Sequence, residues 1–600
     1  MANRIEDYAL LSSCQSAALV SKGGSIDWLC FPRFDSPSCF AALVGEPENG
    51  RWKIAPQEPI EQISRTYLDG TLVLETTFTT ALGKAQVTDF MPCGLHANSV
   101  IRIVTGVHGR VAFDMDLVIR FDYGRTAPWI EKYNSQTLTA IAGPNMLVLR
   151  SAIAVEVRNE QIGSSFVVSE GEQIFFTLSH QSSNCPVTKP LDAEAALEST
   201  LSFWREFSDR CPDVGRDTAM IKRSLITLKA LTYQPTGGIA AAATTSLPER
   251  IGGERNWDYR YCWLRDATMT LLAFMDLGYF EEATAWSEWL LRAIAGNPEQ
   301  MQIMYGLGGE RHLPEFELPW LSGYEGSTPV RIGNGAAVQV QLDIFGEVAD
   351  AVAEARKGGL PVHPRSNALA DVTVPYLEKA WRNPDDGIWE VRGPRRHFTH
   401  SKVMTWVAFG RVAAYSATQP GREEHAKHCQ HIADEIHADI CLHGFDEKLG
   451  SFVQSYGSKA VDASLLQIAL TGFLPAQDPR FLGTVAAIEG RLMRNGLLYR
   501  YDTEEAIDGL PPGEGTFLVC SFWLADVYVL LGRHEDARAL YDRLVGLSND
   551  VGLLSEQYDP EARRMLGNFP QAFSHIGVIN TGLNLRRAHA SSGKLSKPNR

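Results

Sequence analysis

"RVAFDMDLVIRF", residues 110–121, places Val111, Phe113, Met115, Leu117, Ile119 and Phe121 at every second position. A period of two sustained this long suits a strand with one buried face, and no helix can satisfy it. Outward from it, "TLVLETTFTT" (71–80) repeats the pattern with Leu72, Leu74 and Phe78, and "SVIRIVTGV" (99–107) and "GEQIFFTLSH" (171–180) read as further strands. Gly and Asn breaks separate them, and no helical segment is expected among them, so residues 1–205 are predicted to form a layered antiparallel β-sandwich.

Past about residue 215 the period becomes helical. "IKRSLITLKAL" (221–231) sets Ile221, Leu225 and Leu228 on one stripe. "FLVCSFWLADVYVLL" (517–531) does the same with Phe517, Cys520, Leu524, Val527 and Leu531. About twelve such segments follow, starting near 217, 265, 281, 333, 365, 400, 422, 460, 478, 515, 534 and 571. Paired antiparallel helices in even number suggest a closed toroid, inner helices ringed by outer ones. Residues 206–240 then hold a linker and the first of these helices, 241–591 the remainder, and the tail "SSGKLSKPNR" is expected to be disordered from 592. The loops after alternate helices are long and rich in Trp, Tyr, Gly, Arg and Glu, which is where scaffolds usually carry sites.

Composition narrows the function classes. The 600 residues hold 44% hydrophobic and 21% charged side chains, ordinary for a globular protein. With 56 Lys and Arg against 71 Asp and Glu the net charge is −15, and the pI is about 5.5. That disfavours a nucleic-acid partner, whose phosphates need basic side chains. It fits a neutral small-molecule substrate and leaves homo-oligomerisation open. The N-terminus lacks the basic and apolar regions of a signal peptide, and no apolar run reaches the roughly 18 residues of a membrane span. Ten cysteines are scattered singly, with no C-x-x-C and no zinc-type spacing. A reducing cytoplasm is the expected compartment.

Three stretches could carry chemistry. In "GERNWDYRYCWLRDATM" (253–269), Trp257, Tyr259, Tyr261 and Trp263 alternate with Arg255, Asp258, Arg260, Arg265 and Asp266. Aromatic faces beside Arg–Asp pairs bind sugars, by stacking and by charge-assisted hydrogen bonds. An aromatic strand with a buried ion pair would look the same. "DDGIWEVRGPRRHF" (385–398) puts Glu390 after Trp389 and before Arg392, Arg395, Arg396 and His397. As a general acid Glu390 needs a raised pKa, which those cations would oppose unless they point elsewhere. "LLSEQYDP" (553–560) puts Glu556 in a polar break between helices, where a helix cap or a solvated loop residue is the ordinary alternative. Glu310, Glu315, Glu347, Asp386 and Glu514 compete for both roles.

The chain resembles glycoside hydrolase family 15, the glucoamylase and trehalase family, over nearly its whole length. The resemblance lies in "GGSIDWLCFPRFDSPSCFAALV" (23–44), "RNWDYRYCWLRDA" (255–267) and "MYGLGGERHLPEFELPWLSGY" (304–324). It continues through "PVRIGNGAAVQVQLD" (329–343), "DGIWEVRGPRRHFTHSKVM" (386–404), "SEQYDP" (555–560) and "GNFPQAFSH" (567–575). It implies an N-terminal β-sandwich followed by an (α/α)6 barrel. It implies Glu390 as general acid and Glu556 as general base. Arg265 and Asp266 would hold the terminal glucose, Trp263 and Trp389 would wall its pocket, and Tyr259 would set a hydroxyl near the base. The fungal members differ in having a starch-binding module and two successive glutamates where Trp389 is followed by one, which puts affinity for long starch chains in doubt.

The implied activity is an exo-acting, inverting α-glucoside hydrolase. Two carboxyls would flank the scissile bond roughly 6.5–9.5 Å apart, with one water between. That chemistry requires no metal or cofactor. The segments at 253–267, 308–311, 331–336 and 567–573 most resemble bacterial trehalases, whereas "SEQYDP" looks more like glucoamylases. Trehalose is the expected substrate, with α-1,4- and α-1,6-gluco-oligosaccharides as the alternative. A glycoside phosphorylase would need only one catalytic carboxyl. A non-catalytic carbohydrate-binding protein would need neither.

Overall fold

The computed structural model describes residues 3–94, 98–361, 364–503 and 508–595. The chain begins as an antiparallel β half and continues as a helical half. The β half is built around strands β1 (Arg51–Pro56), β2 (Leu74–Thr80), β3 (Gly83–Phe90), β4 (Ser99–Val118), β5 (Gln161–Ser169) and β6 (Gln173–Ser182).

Strand β4 belongs to two sheets. Its first part pairs with β3 and β6, and from Arg110 onward it pairs with β5 and β1. The change of partner falls at Gly106–Gly109. A Cβ on Gly106 would meet the Ser169 carbonyl at 2.0 Å, and Gly109 has φ +64°, so side chains are barred from both positions. Beyond this point Val111, Phe113, Met115 and Leu117 are buried, as their spacing predicts. Phe113 stacks on Phe166 of β5 and meets Phe78 of β2 edge-on, while Phe166 contacts Phe176 of β6. The two sheets thus face each other through these rings. The strand ends at Val118, yet Ile119 and Phe121 stay buried.

Two features depart from the sequence expectation. The stretch read as β to residue 205 ends in a helix, α1 (Ala193–Ser208), whose first N–H groups are capped by Asp192. Ala196, Leu197 and Leu201 on α1 pack against Val73, Phe90, Ile101 and Ile103. The helix therefore covers the outer face of one sheet. The strands Tyr8–Ser12, Ala17–Ser21 and Ser25–Cys30 are buried at every position. They lie against the helical half, where Ser12 donates to the Ala230 carbonyl and the Trp28 indole to the Ala243 carbonyl. Burial on both faces erases their alternation.

The helical half contains α2 (Thr218–Leu231), α3 (Leu264–Asp276), α4 (Phe280–Ala293), α5 (Asp343–Lys357), α6 (Pro364–Ala380), α7 (Thr399–Ser416), α8 (Glu423–His443), α9 (Pro479–Leu492), α10 (Leu518–Leu530), α11 (His534–Val545) and α12 (Ala572–Leu595). The segment expected to start near 333 is a single turn, Gly335–Val338, and the helix proper begins at Asp343. The one expected near 460 is reduced to two short turns over 463–470. Helices α3, α5, α7, the 463–470 turns, α10 and α12 touch in succession, and α12 returns to α3. In α10 every residue from Leu518 to Tyr528 is buried, so the stripe expected there is a cylinder instead. The predicted disordered tail is helical to Leu595, and residues 596–600 lie outside the described ones. Among the described residues no helix is long and apolar enough to cross a membrane.

Candidate active site

The loops that lead into α3, α5, α7, α10 and α12 meet at one end of the circuit. They surround a cavity lined by residues that include Trp257, Tyr259, Arg265, Trp389, Glu390 and Arg500.

The 253–269 stretch divides its side chains between two tasks. Asp258 and Arg260 form a buried ion pair at 2.6 Å that points away from the cavity, Arg260 bonding the Ser36 carbonyl and the Tyr123 hydroxyl of the β half. Trp257 and Tyr259, on the alternate positions, line the cavity. The buried ion pair of this stretch is thus Asp258–Arg260, while aromatic side chains of the same stretch line the cavity. Arg265 and Asp266 start α3, with 3.2 Å between them. Arg265 lines the cavity and Asp266 stands behind it. Burial raises the Asp266 pKa, and Arg265 opposes the rise.

Glu390 sits at φ +58°, a conformation costly for a residue with a side chain. The strain turns its carboxyl into the cavity, where Oε1 accepts a 2.6 Å hydrogen bond from the Trp263 indole. Trp263 itself stands behind the lining. Burial raises the Glu390 pKa, while Arg265 and the indole bond restrain the rise. Of the basic neighbours, Arg392 also lines the cavity, but Arg392, Arg395 and His397 are each engaged with groups other than Glu390. Arg392 makes two bonds to Glu315 and lies over the Trp257 ring, Arg395 pairs with Asp386, and His397 stacks on Tyr456. The Trp389 ring lines the cavity against Phe517, and its indole is fixed by Asp462.

Glu556 precedes the strand Gln557–Asp559, which pairs with Thr516–Phe517 on one side and Arg564–Leu566 on the other. It is 1% exposed and lies outside the cavity lining, against Tyr259 and Glu249, which belong to it. Gly567 makes room for its carboxyl, since a Cβ there would stand 2.4 Å from Oε2. Burial, then the charge of Glu249, hold the Glu556 pKa well above the ordinary carboxylate range; Arg500, Tyr259 and the Asn568 N–H pull it down.

The lining residues Glu249 and Arg500 escape sequence reasoning. Arg500 bonds Glu249 at 2.8 Å and also binds Glu514, and Arg255 pairs with Asp508 at 2.6 Å. These partners are separated by up to about 250 positions, and no local pattern marks them. The competing acids are mostly engaged: Glu310 with Arg33, Glu315 with Arg392, Asp386 with Arg395 and Glu514 with Arg500. Glu347 is buried beneath Arg265, near Asp343, and its pKa is raised by burial. Among the described residues no group of three or more His, Cys, Asp or Glu side chains could hold a metal ion.

The family described as "Glycosyl hydrolases family 15" matches residues 215–583, more than half of the chain. The chain belongs to glycosyl hydrolase family 15. It is therefore a glycoside hydrolase, and every candidate residue from Trp257 to Glu556 falls within the family 15 match. A second family, "Trehalase-like, N-terminal", matches residues 1–183. The trehalase of Mycobacterium tuberculosis is 39% identical over 627 aligned residues, covering 99% of this chain and 92% of that one. The trehalase of Thermoplasma acidophilum is 34% identical, covering 95% and 98%. A bacterial glucoamylase complexed with acarbose superposes with a TM-score of 0.73 at 14% identity, covering 98% of this chain and 94% of that one, which supports the shared fold.

Proposed function

We propose that this family 15 enzyme hydrolyses α,α-trehalose with inversion at the attacked carbon, Glu390 serving as general acid and Glu556 as general base. The observation that carries the reading is the placement of two carboxyls of raised pKa at one cavity, Glu390 facing into it and Glu556 behind Tyr259. Supporting the choice of sugar, the relatives named above are trehalases. The scaffold is read as an antiparallel β-sandwich set on an (α/α)6 barrel, in keeping with the closed helix circuit.

The roles follow the resemblance of the two segments to those that supply acid and base in the family. Burial helps Glu390 hold the proton a general acid needs, against the pull of Arg265, and Glu556, whose pKa is raised as well, acts as base once ionised. Glu390 donates to the glycosidic oxygen as the bond breaks. Glu556 takes a proton from water attacking the opposite face, and Tyr259 and the Asn568 N–H stabilise its ionised form. Arg265, anchored by Asp266, is placed to bind hydroxyls of the glucose whose carbon is attacked. Ten free thiols agree with a reducing, cytoplasmic setting.

The test is product analysis on trehalose, maltose, isomaltose and starch. Glucose from trehalose at the highest kcat/KM is expected. Preferential release from maltose or starch would replace the reading with a glucoamylase-type one. Glucose 1-phosphate formed only with added phosphate would indicate a phosphorylase.

A further inference from the structure

Glu249 has no part in the chemistry above, yet the fold holds it rigidly beside the group that does. It follows Pro248 in "SLPER" and is 1% exposed. Its N–H donates to the Arg255 carbonyl and its carbonyl accepts from the Gly515 N–H, so the backbone is fixed on both sides. Its Oε2 accepts from Arg500 at 2.8 Å, with Arg255 4.0 Å away.

The groups facing Glu556 come from four separate segments. They are Glu249, the Tyr259 hydroxyl, Arg500 and the Asn568 N–H, the last at 3.4 Å. The Pro248 carbonyl accepts from the N–H of Gly567, whose added Cβ would stand 2.4 Å from Glu556 Oε2, so the backbone of Glu249 adjoins the Glu556 carboxyl. Glu514 and Arg255 stand behind them on Arg500 and Glu249. Three carboxyls, Glu249, Glu514 and Glu556, therefore share Arg500 and Arg255, and Arg255 is already bound to Asp508. Arg500 directs its bonds to Glu249 and Glu514. Glu514 and Glu556 each keep a buried oxygen, Oε1, outside this bonding, and Glu514 is bonded to Arg500 through its Oε2.

We propose that Glu249 is a positioning residue that acts through charge: clamped by Arg500 beside Glu556, its carboxylate makes Glu556 hold its proton more tightly and so sets the lower pH limit of catalysis. The proposal rests on the reading of Glu556 as base. Two effects of neutralising Glu249 have the same sign. The like charge beside Glu556 disappears, and Arg500 is freed to favour the ionised form of Glu556.

The experiment is the pH dependence of kcat/KM on trehalose for the wild type and for Glu249→Gln, with thermal midpoints measured on both. The acid limb is expected to move to lower pH by about one unit, because removing a nearby like charge favours the ionised carboxylate. A purely structural role would lower the rate at all pH values and leave the limb in place, and that result in a folded variant overturns the proposal. A Glu249→Gln enzyme as inactive as Glu556→Gln also overturns it, because Glu249 would then be the base itself. If Glu249→Gln does not fold, Glu249→Asp withdraws the charge by one bond and should move the limb the same way by a smaller step; an unmoved limb counts against the proposal. If the wild type does not hydrolyse trehalose, the function reading fails separately. The carboxyl 13C resonance that Glu556→Gln abolishes then reports the same titration without turnover, and it must fall in Glu249→Gln.

Discussion

The Trp263 indole donates to Glu390 across 2.6 Å, and this bond ties the strand that leads into α3 to the loop that leads into α7. It fixes the carboxyl of a residue whose backbone is already strained at φ +58°. It also favours the ionised form, restraining the rise that burial imposes on the Glu390 pKa. This donor thus orients the proposed acid and, with burial and Arg265, sets its proton affinity.

Trp263→Phe removes that donor and keeps most of the ring. Glu390 should then keep its proton to higher pH, so the basic limb of kcat/KM moves up. A hydrogen bond to a charged group contributes about 1.5–3 kcal/mol, and one pH unit corresponds to about 1.36 kcal/mol, so a shift of roughly one unit is expected. A basic limb that stays put, measured on the folded variant, would mean the bond leaves Glu390 unaffected.

Asp266→Asn tests the grip on sugar. Asp266 anchors Arg265 from behind the cavity lining. Loss of a charge-assisted contact costs about 1.5–3 kcal/mol, which is roughly 10- to 150-fold in kcat/KM at 1.4 kcal/mol per tenfold. The thermal midpoint separates this from unfolding. Full activity in a folded variant would make the pair structural.

Asp258→Ala should behave differently from any site variant. It leaves Arg260 buried without its carboxylate at the junction of the two halves. Breaking a buried pair costs about 3–5 kcal/mol, so a large fall in thermal midpoint is expected. A variant of unchanged stability would show that water reaches Arg260.

Much of this arrangement can be read from the residues, and the exceptions have physical causes. The alternation from Val111 to Leu117 and the stripes of α2, α4 and α11 are local patterns with one solvated side, and they mark their elements directly. The strands at Tyr8–Cys30 and helix α10 are buried on all sides, so periodicity is lost. Helix α1 carries a readable cap at Asp192 and apolar residues at helical spacing, but it follows β6 closely and its apolar face serves the β half. Glu390 and Glu556 stand out by motif. Glu249 and Arg500 do not, and Arg255 stands out without its partner Asp508, because these partners are chosen by tertiary structure across hundreds of positions.

The two proposed carboxyl roles separate by substrate. Glu390→Gln should lose trehalose hydrolysis yet recover part of its rate on α-glucosyl fluoride, whose leaving group needs little protonation. Glu556→Gln should not recover with this substrate. Recovery in the opposite variant would exchange the roles, and a loss below about tenfold in either, about 1.4 kcal/mol, would remove that residue from the chemistry.

The inverting mechanism at this cavity is tested most directly by the anomers released first from trehalose, observed by 1H NMR before mutarotation. Water attack from the face opposite the leaving group makes the attacked glucose β, while the leaving glucose keeps its α configuration. Equal amounts of α- and β-glucose at the earliest times are expected. Release of α-glucose alone would mean retention, and would contradict the assignment of Glu556 as the base that activates water.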